Sequence, residues 1–367
     1  MKIGIDVSQV VYQGTGVATY TRELVRALLT LDKKNEYVLF GSTLRRQKEL
    51  SDFFRILPQN TFKQKTYIFP PSFLNLLFNQ LHLVNIENFS GDVDLFHTSD
   101  WVEPKAKAPK VTTIHDLIVY KYPEYLNKKI VETQKKKLTW VSQESKAIIA
   151  DSESTKKDIV EYLGISPSRI HVVYLGIDQN FKPVSTHKIQ EVTQRFHLVG
   201  QYVLCVGTRE PRKNLDRVLS AFEMLGKDDI SLVIVGNPGW GQDIKPRANV
   251  KMLNYVSREE LVALYSGAAC FVYPSLYEGF GLPILEAMAC EILVVTSQKG
   301  SLGELAKDHA IVVEPESVDA IHEGIKKALN MTASKKSDII KRAKKYAATF
   351  TWEETARKTL EIYKSII

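Results

Sequence analysis

The feature that most constrains this chain is an alternation that occurs twice. Short runs rich in Val, Ile and Phe are separated by segments whose apolar residues recur at helical spacing. The first set comprises Lys2–Asp6, Tyr37–Phe40, Leu95–Thr98, Val111–His115, Ala147–Ala150 and Ile170–Val173. The second comprises Tyr202–Val206, Ser231–Val235, Val250–Leu253, Cys270–Tyr273, Ile292–Thr296 and Ala310–Val313. Strands covered on both faces read as continuous apolar runs, and parallel neighbours need a crossover, usually a helix. The pattern therefore predicts an α/β fold of stacked βαβ units, with two doubly wound parallel-sheet domains facing each other across a cleft. Between the sets lies Leu175–Pro183, which has turn chemistry and no period, so the domains are expected at 1–177 and 178–350. A length of 367 residues suits two domains. In the last segment, Trp352, Ala356, Leu360 and Tyr363 recur every three to four residues and predict a helix over 351–367 with one apolar face.

Composition narrows the function classes. The net charge is +7, and Arg45, Arg46 and Lys48 lie beside Leu44, Leu50, Phe53 and Phe54, so an anionic partner is expected. Met1-Lys2 leads directly into Ile3-Gly4-Ile5, which predicts no signal peptide. No unbroken apolar window of roughly 18 residues occurs, so no span is expected and the protein is read as cytoplasmic or peripheral on the cytoplasmic membrane face. Cys205, Cys270 and Cys290 sit in apolar runs without metal-ligand spacing and are expected to be buried thiols.

Open parallel sheets bind ligands beyond the carboxyl ends of their strands, so the loops after strands are where chemistry is expected. After Tyr202–Val206, the loop Gly207–Asn214 carries Arg209 and Lys213 ahead of a helix with Leu215, Val218, Leu219 and Phe222. A guanidinium fork and a compact ammonium at a helix start suit a diphosphate. The same residues could form a solvated basic loop capped by Asn214. After Cys270–Tyr273, Glu278 and Glu286 bracket Gly279-Phe280-Gly281-Leu282-Pro283. Pro283 predicts a helix start, with Glu286 in the first turn and Glu278 on the loop. The glycine backbone could approach a ligand and the carboxylates accept from paired hydroxyls, as at both ends of a nucleotide sugar; alternatively, Glu286 complements the helix dipole and Glu278 faces water.

In the first half, Gln13-Gly14-Thr15-Gly16 precedes a helix with Val17, Tyr20, Leu24, Ala27 and Leu31, but Thr19 breaks the dinucleotide fingerprint and argues against a nicotinamide cofactor. His115-Asp116 ends its strand, where imidazole could bind a sugar hydroxyl with Asp116 orienting the ring or capping the next turn, or the two could be structural. Asp92-Val93-Asp94 precedes its strand, away from the carboxyl ends, and is read as a turn in preference to a metal site.

These residues resemble family four of the retaining glycosyltransferases, whose fold is GT-B, with two Rossmann-like domains. The resemblance rests on Val206-Gly207-Thr208-Arg209 with Lys213-Asn214, on Glu278–Pro283 with Glu286, and on His115-Asp116, and it runs from Lys2–Asp6 through Leu175–Asp178 to Phe350-Thr351-Trp352. It implies that Arg209 and Lys213 bind the donor diphosphate and that Glu286 binds the ribose. It implies that Glu278 with Gly279, Phe280, Gly281 and Leu282 holds the transferred sugar, that the loop ending in Val256 meets the base, and that His115 contacts the sugar. Gly16 would let the first loop approach the phosphates, and helix 351–367 would return to the first domain. After Gly16 the sequence departs from the family, with Val17-Ala18-Thr19-Tyr20 where many members carry a second glycine and a basic or amide residue.

The expected activity is hexosyl transfer, with mannose favoured, from a nucleotide-diphosphate sugar and with retention. Same-face attack is expected, and no resident cofactor or metal. GDP-mannose is the favoured donor and a UDP-sugar the second. The acceptor is read as a glycan or lipid-linked glycan, with an anionic membrane surface as a candidate partner through Thr43–Ile56 and Tyr67–Leu83, and no nucleic acid. A sugar-nucleotide epimerase and a non-catalytic nucleotide-binding subunit are the alternatives.

Overall fold

A computed structural model of the chain describes residues 1–59, 61–98, 100–239 and 249–367. The chain divides into two compact units, Met1–Gly176 with Thr351–Ile367, and Ile177–Phe350. Each is built on a parallel sheet.

In unit 1 the strands are β1 (Lys2–Asp6), β2 (Glu36–Ser42), β3 (Phe62–Tyr67), β4 (Leu95–Thr98), β5 (Lys110–Ile114), β6 (Ser145–Ala150) and β7 (Ile170–Val172). Their order is β3-β2-β1-β4-β5-β6-β7. The inner strands β1, β2, β4, β5 and β6 are the apolar runs expected from the sequence, and they are buried. His115 falls one residue beyond β5. Strand β3 is an addition to the expected set: FKQKTY is exposed at its centre because it pairs only with β2 at the sheet edge, so no apolar run marks it.

In unit 2 the strands are β8 (Gln201–Val206), β9 (Ile230–Val235), β10 (Val250–Leu253), β11 (Cys270–Tyr273), β12 (Val294–Thr296) and β13 (Ile311–Val312), in the order β10-β9-β8-β11-β12-β13. Both sheets thus reverse their winding once, between β1 and β4 and between β8 and β11. Open parallel sheets bind ligands outside the carboxyl ends of the strands at such reversals. The unit 2 core joins Val203, Cys205, Leu232, Ile234, Cys270, Val272 and Val295 to the helix residues Val218, Phe222, Ile321 and Ile325. The three cysteines are free and buried.

The helix Trp352–Ser365 belongs to unit 1. Thr351 caps it by accepting from the Glu354 amide at 3.2 Å, and its buried residues Trp352, Ala356, Leu360 and Tyr363 pack on the helix Gly16–Leu31. Gly176 lies so close to this helix start that a Cβ there would meet the Trp352 nitrogen at 2.1 Å. Asp94 ties the segment before β4 to the start of β1 by accepting from the Lys2 amide at 2.7 Å. No helix among the described residues is long and apolar enough to cross a membrane.

Candidate active site

Two loops of unit 2 meet at its switch point. Gly207–Asn214 follows β8, and 274–281 follows β11. Backbone fixes them together, since the Leu276 amide donates to the Arg212 carbonyl at 2.8 Å. Asn214 does not cap the helix Leu215–Glu223 with its side chain, as the sequence suggested. It adopts a left-handed conformation, with φ 62°, and its Nδ2 donates to the carbonyls of Pro274 at 3.0 Å and Pro315 at 2.6 Å. Its role is to clip the two loops and the backbone at Pro315.

Glu278 lies at the centre of this junction and is 6 % exposed. Its Oε1 accepts from Lys213 Nζ at 2.7 Å and from Tyr273 OH at 2.9 Å, and its Oε2 accepts from Arg212 Nη1 at 2.5 Å. Burial works to raise this carboxyl, but Arg212 and Lys213 overcome it and hold the pKa at about 2. Lys213 also lies over the Tyr273 ring, 4.9 Å from its centroid. Its own pKa is lowered, by burial first and then by Arg212. Glu278 remains ionised down to about pH 2. The sequence reading did not single out Arg212, although it is adjacent to Lys213. Its Nε is held by Glu210 Oε2 at 2.8 Å, which aims the other end of the guanidinium at Glu278.

Arg209 reaches the opposite side of the loop, where Nη2 donates to Asn254 Oδ1 at 3.2 Å, and its Nε is buried without a hydrogen-bond partner among the described residues. Asn254 begins the loop that ends in Val256, which is buried beside exposed Tyr255. The loop feeds a helix through a capping box, in which Ser257 Oγ accepts from the Glu260 amide and Glu260 Oε2 accepts from the Ser257 amide.

The turn after Glu278 is set by glycine. Gly281 has φ 107°, and a Cβ there would lie 2.7 Å from Leu302 Cδ2. Ser301 Oγ donates to the carbonyls of Glu278, at 3.0 Å, and Phe280, which turns them toward the helix Leu302–Ala306. Phe280 is buried against Phe350. The helix starts at half-buried Leu282, with Pro283 in its opening turn, so Glu286 is its fifth residue and not in the first turn as expected. The helix dipole therefore does not account for Glu286. Its Oε2 accepts from Tyr265 OH at 3.1 Å, and burial pushes its pKa up to about 7.

In unit 1, a pocket at the switch point is lined by Asp6, Tyr20, His97, Asp100, Thr113 and His115. Asp116 does not orient the His115 ring. Its Oδ1 accepts from the Ile118 amide at 3.1 Å, while His115 Nδ1 lies 2.7 Å from Oδ2 of Asp151, the residue after β6. Asp151 was missed in the sequence, though its place beyond the strand Ala147–Ala150 is the same signal that marked His115. Gly16 opens the helix Gly16–Leu31 behind the cap residue Thr15, with nothing within 4 Å of the position its Cβ would take. The switch-point loops of unit 2 therefore bring together Arg209, Arg212, Lys213, Glu278 and the Gly279–Gly281 turn. His115 and Gly16 belong to unit 1.

The comparisons with known proteins agree with this architecture. Residues 14–181 match Glycosyltransferase Family 4, and residues 193–346 match Glycosyl transferases group 1. The O-antigen chain mannosyltransferase B of Escherichia coli is 30% identical over 385 residues, covering 99% of this chain and 100% of the relative. A serotype-specific mannosyltransferase of Escherichia coli is 27% identical over 60% of this chain and 29% of its own length. Among solved structures, an Anabaena protein in complex with UDP-glucose superposes with a TM-score of 0.75 at 16% identity, over all of both chains. A glycosyltransferase involved in lipopolysaccharide biosynthesis gives 0.66 at 15% identity, over 99% of each. Two parallel Rossmann-like sheets of this order define the GT-B class of fold. The chain belongs to the group 1 glycosyltransferases and is a glycosyltransferase.

Proposed function

We propose that this glycosyltransferase moves a hexose, with mannose favoured, from a nucleotide-diphosphate sugar to a saccharide or lipid-linked saccharide, with retention and without a metal ion. The observation that carries the reading is one loop at the unit 2 switch point bearing Arg209, with its buried unpartnered Nε, and the buried Lys213. A diphosphate supplies an acceptor for that Nε and a further anion for Lys213 beside Glu278, and preorganised cations stabilise the charge that develops on a departing diphosphate. Glu286 takes the ribose hydroxyls, and the backbone beside Val256 takes the base. Glu278 and the Gly279–Leu282 segment take the transferred sugar, and His115 contacts a sugar hydroxyl. The Glu278 oxygens already accept from two cations and a phenol, which favours a holding role over nucleophilic attack. In same-face transfer the bond from the sugar to the diphosphate breaks, the acceptor oxygen bonds to the same carbon, and the leaving diphosphate takes the acceptor's proton. A covalent azide adduct formed by Glu278→Ala would overturn this step.

GDP-mannose is the favoured donor because the Escherichia coli relatives are mannosyltransferases, and a UDP-sugar is second. The test is thermal stabilisation by GDP, UDP and ADP, since a ligand specific to the folded state raises its stability. A shift by GDP that Lys213→Ala removes supports the reading. No shift by any of them, with or without magnesium or manganese, overturns it.

An anionic lipid surface on the cytoplasmic membrane face is the proposed acceptor environment. Burial divides the two candidate stretches. Leu50, Phe53, Leu74 and Phe78 face the core, while Leu44, Ile68, Phe73 and Leu76 remain exposed. The Thr43 amide donates to the Tyr67 carbonyl, so Leu44, Arg45 and Ile68 emerge from adjacent strand ends beside exposed Arg46 and Lys48. Failure to sediment with anionic vesicles at low salt overturns this part.

A further inference from the structure

His115 is held by one turn at two points. Beyond β6, Ser152 caps the helix Glu153–Leu163 by accepting from the Thr155 amide at 3.0 Å, which fixes the backbone on which Asp151 stands. From that turn Thr155 Oγ1 donates to the His115 carbonyl at 3.3 Å, and Asp151 Oδ2 meets the ring at Nδ1, 2.7 Å away. Asp151 is 2 % exposed, and its Oδ1 is buried without a hydrogen-bond partner among the described residues. A carboxylate only accepts, so the proton between the two sits on Nδ1. The other faces of the ring are also fixed. Tyr20 packs edge-on, with centroids 4.7 Å apart, and its hydroxyl bonds Thr113 Oγ1 at 2.7 Å. Thr113 in turn meets His97 Nε2 at 2.9 Å, and His97 Nδ1 meets Tyr363 OH at 2.6 Å. The pocket-lining ring is thus clamped in one orientation.

We propose that Asp151 is a positioning residue that keeps the proton of His115 on Nδ1, so that Nε2 is the atom presented to the sugar. The inference rests on the reading that His115 contacts a sugar hydroxyl. In the neutral ring Nε2 accepts from that hydroxyl, and in the protonated ring it donates. Asp151 also biases this choice. Burial of His115 opposes protonation, but Asp151, Asp100 and Asp116 outweigh it and raise the pKa above the ordinary imidazole value. The other titratable groups lining the pocket are Asp6, Tyr20 and His97, and burial holds His97 neutral down to about pH 3. Replacing the carboxylate by an amide removes one negative charge, so the ring loses its proton at lower pH.

The test is ¹⁵N NMR of histidine-labelled protein together with turnover in wild type, Asp151→Asn, Asp151→Ala and His115→Ala. The expected wild-type signal is an Nδ1-protonated neutral ring. Both Asp151 variants lose that fixed tautomer, and the His115 titration and the matching limb of the kcat profile move to lower pH. The expected fall in kcat is roughly 10- to 100-fold for Asp151→Ala, with an unchanged thermal melt as the check on folding. An Nε2-protonated wild-type ring, or an unchanged tautomer in Asp151→Ala, overturns the positioning role. A correct tautomer with full kcat in His115→Ala overturns the sugar-contact reading and, with it, any service of Asp151 to turnover.

Discussion

The two switch points use charge in opposite ways. That of unit 2 is dense: Glu278 accepts from Arg212, Lys213 and Tyr273, and every partner is buried or nearly so. That of unit 1 is sparse in cations, since no Lys or Arg among the described residues lines its pocket, and its chief polar contact is an imidazole against a carboxylate. A dense ionic cluster holds one protonation state over the whole working range, whereas an imidazole changes state within it. The contrast recurs inside unit 2. Glu278 and Glu286 stand on one loop-helix segment, yet cations hold the first at about 2 and burial pushes the second to about 7. Charge is therefore fixed around Lys213 and Glu278, proposed for the diphosphate and the transferred sugar, and titratable at Glu286, proposed for the ribose.

The largest effect should come from Lys213→Ala, which removes a preorganised cation and is expected to lower kcat/KM by roughly 10² to 10³ in a nucleotide-release assay. If nucleotide binding survives that change but is lost in His115→Ala, the assignment of dense and sparse sites is reversed. Gly176→Ala tests the scaffold. Its Cβ would collide with the backbone nitrogen of Trp352, so denaturant melts should show a loss of about 1–3 kcal/mol. A pH series sharpens the comparison within unit 2. In the proposed role the ionised Glu286 would accept from ribose hydroxyls, so nucleoside-diphosphate affinity should fall several-fold as pH drops from about 8 to 6, and Glu286→Gln should flatten the dependence. Because the native state keeps this proton longer than an unfolded glutamate, whose pKa is 4.5, this group costs stability as pH rises from there to about 7 and nothing further beyond. For Glu278 the order is reversed: its contribution is complete above 4.5 and is lost only as pH falls through about 2. The smallest effect belongs to Tyr363→Phe, which removes one buried hydrogen bond to His97 at a cost of about 1 kcal/mol in the same melts.

What the sequence revealed depends on which interactions are local. Inner strands such as Cys270–Tyr273 are apolar because both faces are covered, so burial is written directly in the residues. β3 carries Lys63, Gln64 and Lys65 because an edge strand faces water, and it cannot be told from a loop. Arg209, Lys213, Glu278 and His115 were found by their place after strands. Their partners were harder to see: Asp151 reaches His115 across 36 positions, and Glu278 meets Arg212 across 66. Asn214 was assigned a capping role because its type favours one, but clipping three backbone segments together overrode that preference. Glu286 moved from the first turn to the second because Gly281, and not Pro283, ends the loop.

The return of helix Trp352–Ser365 to unit 1 also bears on the order in which the protein is made. Residues 177–350 leave the ribosome before this helix does, so unit 2 can close its core on the nascent chain while unit 1 still lacks Trp352 and Tyr363. The wall behind His97 is then completed by residues translated after the whole of unit 2. A chain stopped short of Tyr363 would carry a finished unit 2 and an unfinished unit 1.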